Sequence, residues 1–305
     1  MKILLTNDDG IRAPGIIALY EALIDPEDRL GGPLGVAGDD EPLEVMVVAP
    51  ATVQSATSHG VTFHEPLMVR ETTVTERMEG ISVGGRPADC VKLAISELWP
   101  ERYGKGSKPD LVISGMNAGA NCGINVIYSG TVGAALEAAF LGVPSIAVSL
   151  LLGAGRSMFD VAAGHARHAI DRILAAGVLD RHGCVSLNLP ATEEPEDAPE
   201  GAPIDAGSRV RSRARPRPDL VGRFAPPELV VCPMNTHGLV DAYEGRTAPS
   251  GERYFWAAGG GIDFHGTNEG SDVDHLFKGR MTLTPLRYDL TDHAALTTWT
   301  GALGG

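Results

Sequence analysis

Five short apolar runs punctuate the first two thirds of the chain: "KILLT" at 2–6, "EVMVVA" at 44–49, "DLVIS" at 110–114, "SIAVSL" at 145–150 and "CVSLNL" at 184–189. Each has the length of one strand and is almost continuously apolar, the mark of a strand buried on both faces. Helical spacing appears between them. Ile16, Leu19, Tyr20 and Leu23 fall on one face of a segment over 16–24, and Val91, Leu93 and Ile95 belong to a second over 87–98. A third helix starts near Thr131 and runs through "VGAALEAAFLG"; a long amphipathic one covers 158–177. Strands alternating with helices predict an α/β fold with a parallel sheet covered on both faces. The stretch 66–85 reads as a hairpin, and 51–65 as irregular and rich in hydroxyls.

The pattern stops after Pro190. "ATEEPEDAPEGAPID" is acidic and rich in Pro, and the next segment places Arg at 209, 211, 213, 215 and 217. Those arginines read either as a basic arm for phosphate or nucleic acid, or as a linker-like insertion balanced by the acids beside it. The composition favours the insertion. From 228 on, "ELVVCPM", "RYFWAAGGG" and "RMTLTPLRYDL" suggest β-extensions in place of another βαβ unit. The expected organisation is a core over 1–190, a charged insertion over 191–227 and a β-extension region over 228–305.

A net charge of −14 disfavours non-specific binding to nucleic acid or to an anionic membrane. No apolar stretch reaches the roughly 18 residues a membrane helix needs. The first apolar run ends in acids after a few residues, unlike a signal peptide. Cys90, Cys122, Cys184 and Cys232 form no CxxC pair and suit a reducing compartment. The expectation is a soluble cytoplasmic protein.

Ligands of such sheets bind beyond the carboxyl ends of the strands. Three loops lie there: 7–15, 50–60 and 115–131. In the first, Asp8 and Asp9 stand side by side at the end of a buried strand. One Asp would suffice to cap the coming helix; two repel unless a cation relieves them, and hard oxygens suit Mg²⁺ or Mn²⁺. The second loop offers Gln54, Ser55, Thr57, Ser58 and His59, as donors to phosphate or metal, or as ordinary turn residues. His59 is a minor candidate for general acid or base, with a structural role as its alternative. The third loop interleaves Gly115, Gly119, Gly123 and Gly130 with Asn117, Asn121 and Asn125. It ends in Ser129-Gly130-Thr131 at a helix start, a pattern that suits an anion. There is no P-loop, no HExxH and no GxSxG elbow.

Four blocks together resemble the SurE survival-protein family: "ILLTNDDGIRAPGI" (3–16), "VVAPATVQSATSHGVT" (47–62), "GGRPADCVKLAI" (84–95) and "PDLVISGMNAGANCGINVIYSGTVGAALEAAFLGVPSIAVSL" (109–150). Weaker matches follow at 185–190 and 281–291. The resemblance implies a Rossmann-like three-layer domain with a mostly parallel sheet, and C-terminal β-extensions that join subunits into a homodimer or homotetramer. It implies a metal-dependent 5′/3′-nucleotidase acting on nucleoside monophosphates, with short polyphosphate as a further substrate. One divalent ion, Mg²⁺ or Mn²⁺, would be held by Asp8, Asp9, Ser55 and Asn117. Asp8 or Asp9 would serve catalysis, and Asn121, Ser129, Gly130 and Thr131 would cradle the phosphate. The chain departs from the family pattern at Ala51-Thr52, where Asp-Arg is usual. It also departs at Ala56, where Gly follows the Ser, and at Asn125, where Asp is common. A receiver-like phosphate-binding module is the alternative. It needs an acceptor Asp at the end of a later strand, but "EVMVVAP" ends in Ala49-Pro50.

Overall fold

The computed structural model describes residues 1–35, 42–193, 225–240, 242–258 and 263–304. The five alternating arginines and most of the acidic run lie outside the described residues. Strand β1 (Lys2–Thr6) occupies the middle of the sheet, with Ile3, Leu4 and Leu5 fully buried. Pro14 opens helix α1 (Pro14–Ile24), where its missing N–H would have had no partner anyway. Asp25, in a left-handed conformation, ends the helix by donating its N–H to the Glu21 carbonyl.

Strand β2 (Glu44–Pro50) pairs parallel with β1. The expected hairpin forms from β3 (Val69–Thr73) and β4 (Glu79–Val83), antiparallel to each other, with β4 parallel to β2. The helix expected over 87–98 differs. Helix α2 (Pro87–Leu93) passes through a π-helical turn (Ala94–Leu98) into α3 (Trp99–Tyr103). Pro100 has no N–H to return to the preceding turn, which suits a widened turn just before it. Strand β5 (Leu111–Ala118) runs past the expected end at Ser114. After an irregularity there, Asn117 and Ala118 pair with the last residues of β6 (Ser145–Leu150). Helix α4 (Gly130–Phe140) precedes β6, and α5 (Phe159–Ala176) leads to β7 (Cys184–Leu189).

Beyond 225 come β8 (Leu229–Val231), a separate hairpin of β9 (Tyr243–Thr247) and β10 (Arg253–Ala257), helix α6 (Asp272–Phe277), β11 (Met281–Leu286) and helix α7 (His293–Leu303). Strand β11 joins the main sheet antiparallel to β7, and β8 closes that edge parallel to β11. The sheet order is β3-β4-β2-β1-β5-β6-β7-β11-β8.

Alternation along the strands sorts the core into two sides. Ile3, Leu5, Val47 and Ile113 pack with Ile16, Leu19, Ala166 and Ile170 of α1 and α5. Leu4, Met46, Val48 and Val112 pack with Cys90, Val91, Ala134 and Ala138 of α2 and α4. The result is three layers. Each fully buried Leu or Ile contributes about 1.5–3 kcal/mol relative to exposure. After β1 the chain turns toward β2, and after β5 it turns the other way, toward β6. The carboxyl ends of β1 and β5 therefore flank a topological switch point, where an open α/β sheet leaves a crevice.

Candidate active site

Asp8 and Asp9 follow β1 directly into that crevice. The turn is set from inside: the buried Asn7 side chain donates Nδ2–H to the Gly10 carbonyl at 2.8 Å. Asp8 is buried beneath the start of α4. Its carboxylate accepts the Thr131 hydroxyl at 2.5 Å and the Thr131 N–H at 3.0 Å. Burial pushes the Asp8 carboxyl up to about 6, with the neighbouring Asp9 charge adding to the rise while the Thr131 bonds oppose it. Gly130 permits this contact, because a Cβ there would stand 3.1 Å from the Asp8 carboxylate and 3.0 Å from Thr57 Oγ1.

The other two loops reach the same point. Ala118 donates its N–H to Asp9 Oδ2 at 2.8 Å, which brings the end of β5 onto the second carboxylate. Asn117 lies one residue before it and turns its amide N–H onto the Gly119 carbonyl at 2.7 Å, with no donor to its Oδ1 among the described residues. Gln54 donates its backbone N–H to the Asp8 carbonyl at 2.8 Å, and Ser55 is the next residue, exposed. Three loops thus meet at Asp8 and Asp9, and the expected partners Ser55 and Asn117 are the chain neighbours of the residues, Gln54 and Ala118, that make the contacts. The two carboxylates, the Ser55 hydroxyl and the Asn117 amide oxygen are hard oxygen donors, the set that Mg²⁺ or Mn²⁺ prefers over softer metals. Among the described residues no group of three or more His, Cys, Asp or Glu could hold a metal. A metal at these two carboxylates would need neutral oxygens to complete its ligands, the part expected of Ser55 and Asn117.

The expected phosphate residues occupy different positions in this arrangement. Ser129 caps α4, its Oγ accepting the Val132 N–H at 3.1 Å, which leaves its hydroxyl proton uncommitted by the cap itself. Thr131 has both donors on Asp8 and acts on that carboxylate. Asn121 is drawn toward the ends of β6 and β7. Its Nδ2–H donates to Ser149 Oγ at 2.9 Å, its N–H to Asn188 Oδ1 at 2.8 Å, and its carbonyl accepts from Asn188 Nδ2 at 2.9 Å.

His59 is turned away from Asp8 along α4. One ring nitrogen lies 2.7 Å from Glu137 Oε2, two turns into the helix, and Lys92 Nζ reaches Glu137 Oε1 at 3.0 Å. Glu137 is buried, and burial by itself would raise its carboxyl. The bonds from His59 and Lys92 outweigh burial and hold it below the usual range. The far end of the second loop is fixed as well: Thr62 donates its N–H and its hydroxyl to Asp89 at 2.8 and 2.7 Å. Glu137, Asp89, Asn188 and Ser149 were missed from sequence. Asp89 alone carried a local signal, an acid in the first turn after Pro87.

The fold defines an α/β protein of the Rossmann-like class with a crevice at the switch point between β1 and β5. Within that class the chain belongs to the SurE family. The family model described as "Survival protein SurE" matches residues 3–204. The chain is similar to the 5′-nucleotidase SurE of Heliobacterium modesticaldum, 35% identical over 100% of this chain and 93% of the relative. It is also similar to that of Nitratidesulfovibrio vulgaris strain Miyazaki F, 39% identical over 97% and 90%. The crystal structure of the SurE protein from Aquifex aeolicus superimposes with a TM-score of 0.69 at 28% identity, covering 99% of this chain and all of that one.

Proposed function

We propose that the protein is a divalent-metal-dependent nucleotidase that releases phosphate from nucleoside 5′- and 3′-monophosphates, with short polyphosphate as a further substrate. The observation that carries the reading is the meeting of three loops at Asp8 and Asp9, beside the capped N-terminus of α4. The activity of the relatives named 5′-nucleotidase SurE supports it.

Asp8, Asp9, Ser55 and Asn117 would hold one Mg²⁺ or Mn²⁺. When bound, such an ion supplies charge neutralisation for the phosphoryl group and acidifies water. The chain's own residues do the rest. Thr131 fixes Asp8, and Ala118 fixes Asp9, so that both carboxylates are oriented before substrate arrives. The Gly130 N–H, the Ser129 hydroxyl and Asn121 bind phosphoryl oxygens, where the helix N-terminus favours negative charge. Asp9, half-exposed and held through Oδ2 by Ala118, orients the attacking water with its other oxygen. Phosphoryl transfer asks for this kind of positioning and charge stabilisation more than for a special nucleophile.

The further parts of the reading are a cytoplasmic location and a homodimer or homotetramer built through the C-terminal β-extension. Four free, buried cysteines support a reducing compartment. Among the described residues no helix is long and apolar enough to cross a membrane. The exposed aromatic hairpin β9–β10 supports self-association. The deciding experiment is phosphate release from AMP and other nucleotides, with and without Mn²⁺ or Mg²⁺. Metal-stimulated release is expected, and its absence with every nucleotide overturns the reading.

A further inference from the structure

The loop that carries Asn121 and leads into Ser129 is held from the other end of the chain. Gly123 donates its N–H to Asp272 Oδ2 at 2.8 Å, across 149 positions of sequence. Asp272 Oδ1 accepts the N–H groups of Asn235 and Val273, each at 2.8 Å. The carboxylate is thus met by three backbone donors, and Asp272 is 2% exposed. Two more bonds tie the same loop to the same segment. Ile124 donates to the Asn235 carbonyl at 2.8 Å, and Leu239 donates to Asn125 Oδ1 at 3.0 Å. Asn235 in turn binds the His237 and Gly266 carbonyls and accepts from Asn268. The Phe264 ring closes over Gly123, whose φ of +67° and whose Cβ position, 2.7 Å from that ring, exclude a side chain.

We propose that Asp272 is a positioning residue for the candidate active site, setting the loop 121–129 through Gly123. The segments it gathers, 235–240 and 263–268, are the two feet of the β9–β10 hairpin, so the C-terminal extension is fastened directly to the phosphate side of the crevice. An ionised carboxylate suits the place because it is acceptor-only; Asn would turn an NH₂ toward one of the three N–H donors. The kinetic consequence rests on the nucleotidase reading above; the structural one does not.

The test compares the full-length wild type with Asp272→Asn by amide hydrogen exchange and by Mn²⁺-dependent phosphate release from AMP. In Asp272→Asn the amides of 121–128 are expected to exchange at least about tenfold faster while those of β1 and β6 keep their rates. KM for AMP is expected to rise at least about fivefold, with the Mn²⁺ midpoint unchanged. Unchanged exchange at 121–128 overturns the proposal, and so does exchange accelerated equally in β1 and β6, which would make Asp272 a residue of global stability. Should Asp272→Asn fail to fold, Asn125→Ala at its half-buried position decides by the same two readouts, with smaller changes of the same sign expected. A wild type that releases no phosphate refutes the nucleotidase reading alone, and the exchange comparison still decides the positioning.

Discussion

At Asp8 one carboxylate is asked to stay charged in a buried place. Burial and the Asp9 charge push it up to about 6, and the two Thr131 donors oppose the rise. A neutral amide of the same shape removes the buried charge but also the proposed metal ligand. Asp8→Asn is therefore expected to reduce metal-stimulated phosphate release at least about a hundredfold. The metal-free variant should melt no lower than the metal-free wild type at pH 7.5. Retained activity would refute the assignment of Asp8, and a clear drop in melting temperature would show that its charge stabilises the fold. Ala56 presents a different conflict. Its φ of +54° lies in the left-handed region, at the position where the family pattern has Gly. That conformation costs an L side chain roughly 1–2 kcal/mol, and the greater unfolded freedom of Gly takes back roughly 0.5–1. Ala56→Gly should stabilise the protein by about 0.5–1 kcal/mol, read as a higher urea midpoint at unchanged slope. A lower midpoint would mean that Ala56 does not hold this backbone angle in solution.

At the level of elements, α4 organises the site twice. Its first turn holds Asp8 through Thr131; its third turn, through Glu137, holds the second loop by His59 and helix α2 by Lys92. Glu137 is kept below its ordinary range in the folded state, so its contribution is present above the unfolded value and is lost as pH falls through the folded one. Glu137→Gln should cost about 1–2 kcal/mol near neutral pH, the half-exposed partners limiting the effect. The gap between wild type and variant should narrow as pH falls below about 4.5. A gap that stays constant down to pH 3 would show that the carboxylate charge plays no part. Such elements were unequally legible. Strands β1, β6 and β7 declared themselves because a doubly buried strand must be apolar throughout. The end of β5 did not, since Gly115 to Ala118 look like loop until β6 is placed beside them. Helix α6 had a readable start, Ser271 capping Asp274, yet its few apolar residues hid it among polar neighbours. Asp8 and Asp9 were conspicuous as adjacent charges at a strand end. Asp272 and Glu137 were not, because each acts on a residue far away in sequence, and only the fold makes them neighbours.

For the whole molecule, the β9–β10 hairpin is the surface that calls for a cover. Among the described residues these strands pair only with each other, and Tyr243, Phe255 and Trp256 all stand exposed. Phe255 and Trp256 are consecutive, so they point to opposite faces, and among the described residues both rings stand exposed. An isolated two-stranded hairpin is marginal in water and gains stability only when a face is covered. A second copy of the chain supplies an equivalent hairpin, and closed self-association is the commonest way for such a surface to be buried. The C-terminal helix α7, with Leu296, Trp299 and Leu303 exposed, is a second such surface. Placing a charge on each face of the hairpin, in Phe255→Asp/Trp256→Asp, should lower the mass measured by light scattering to that of one chain. The Asp272 clamp lies at the hairpin's feet and is untouched by those changes, so phosphate release per chain should stay within about threefold of wild type. A wild type that already runs as a single chain, or a double variant of unchanged mass, would remove the hairpin from the assembly. A single-chain variant that has lost its activity would instead mean that the crevice is complete only in the oligomer, with the feet of the hairpin carrying that dependence to the loop at 121–129.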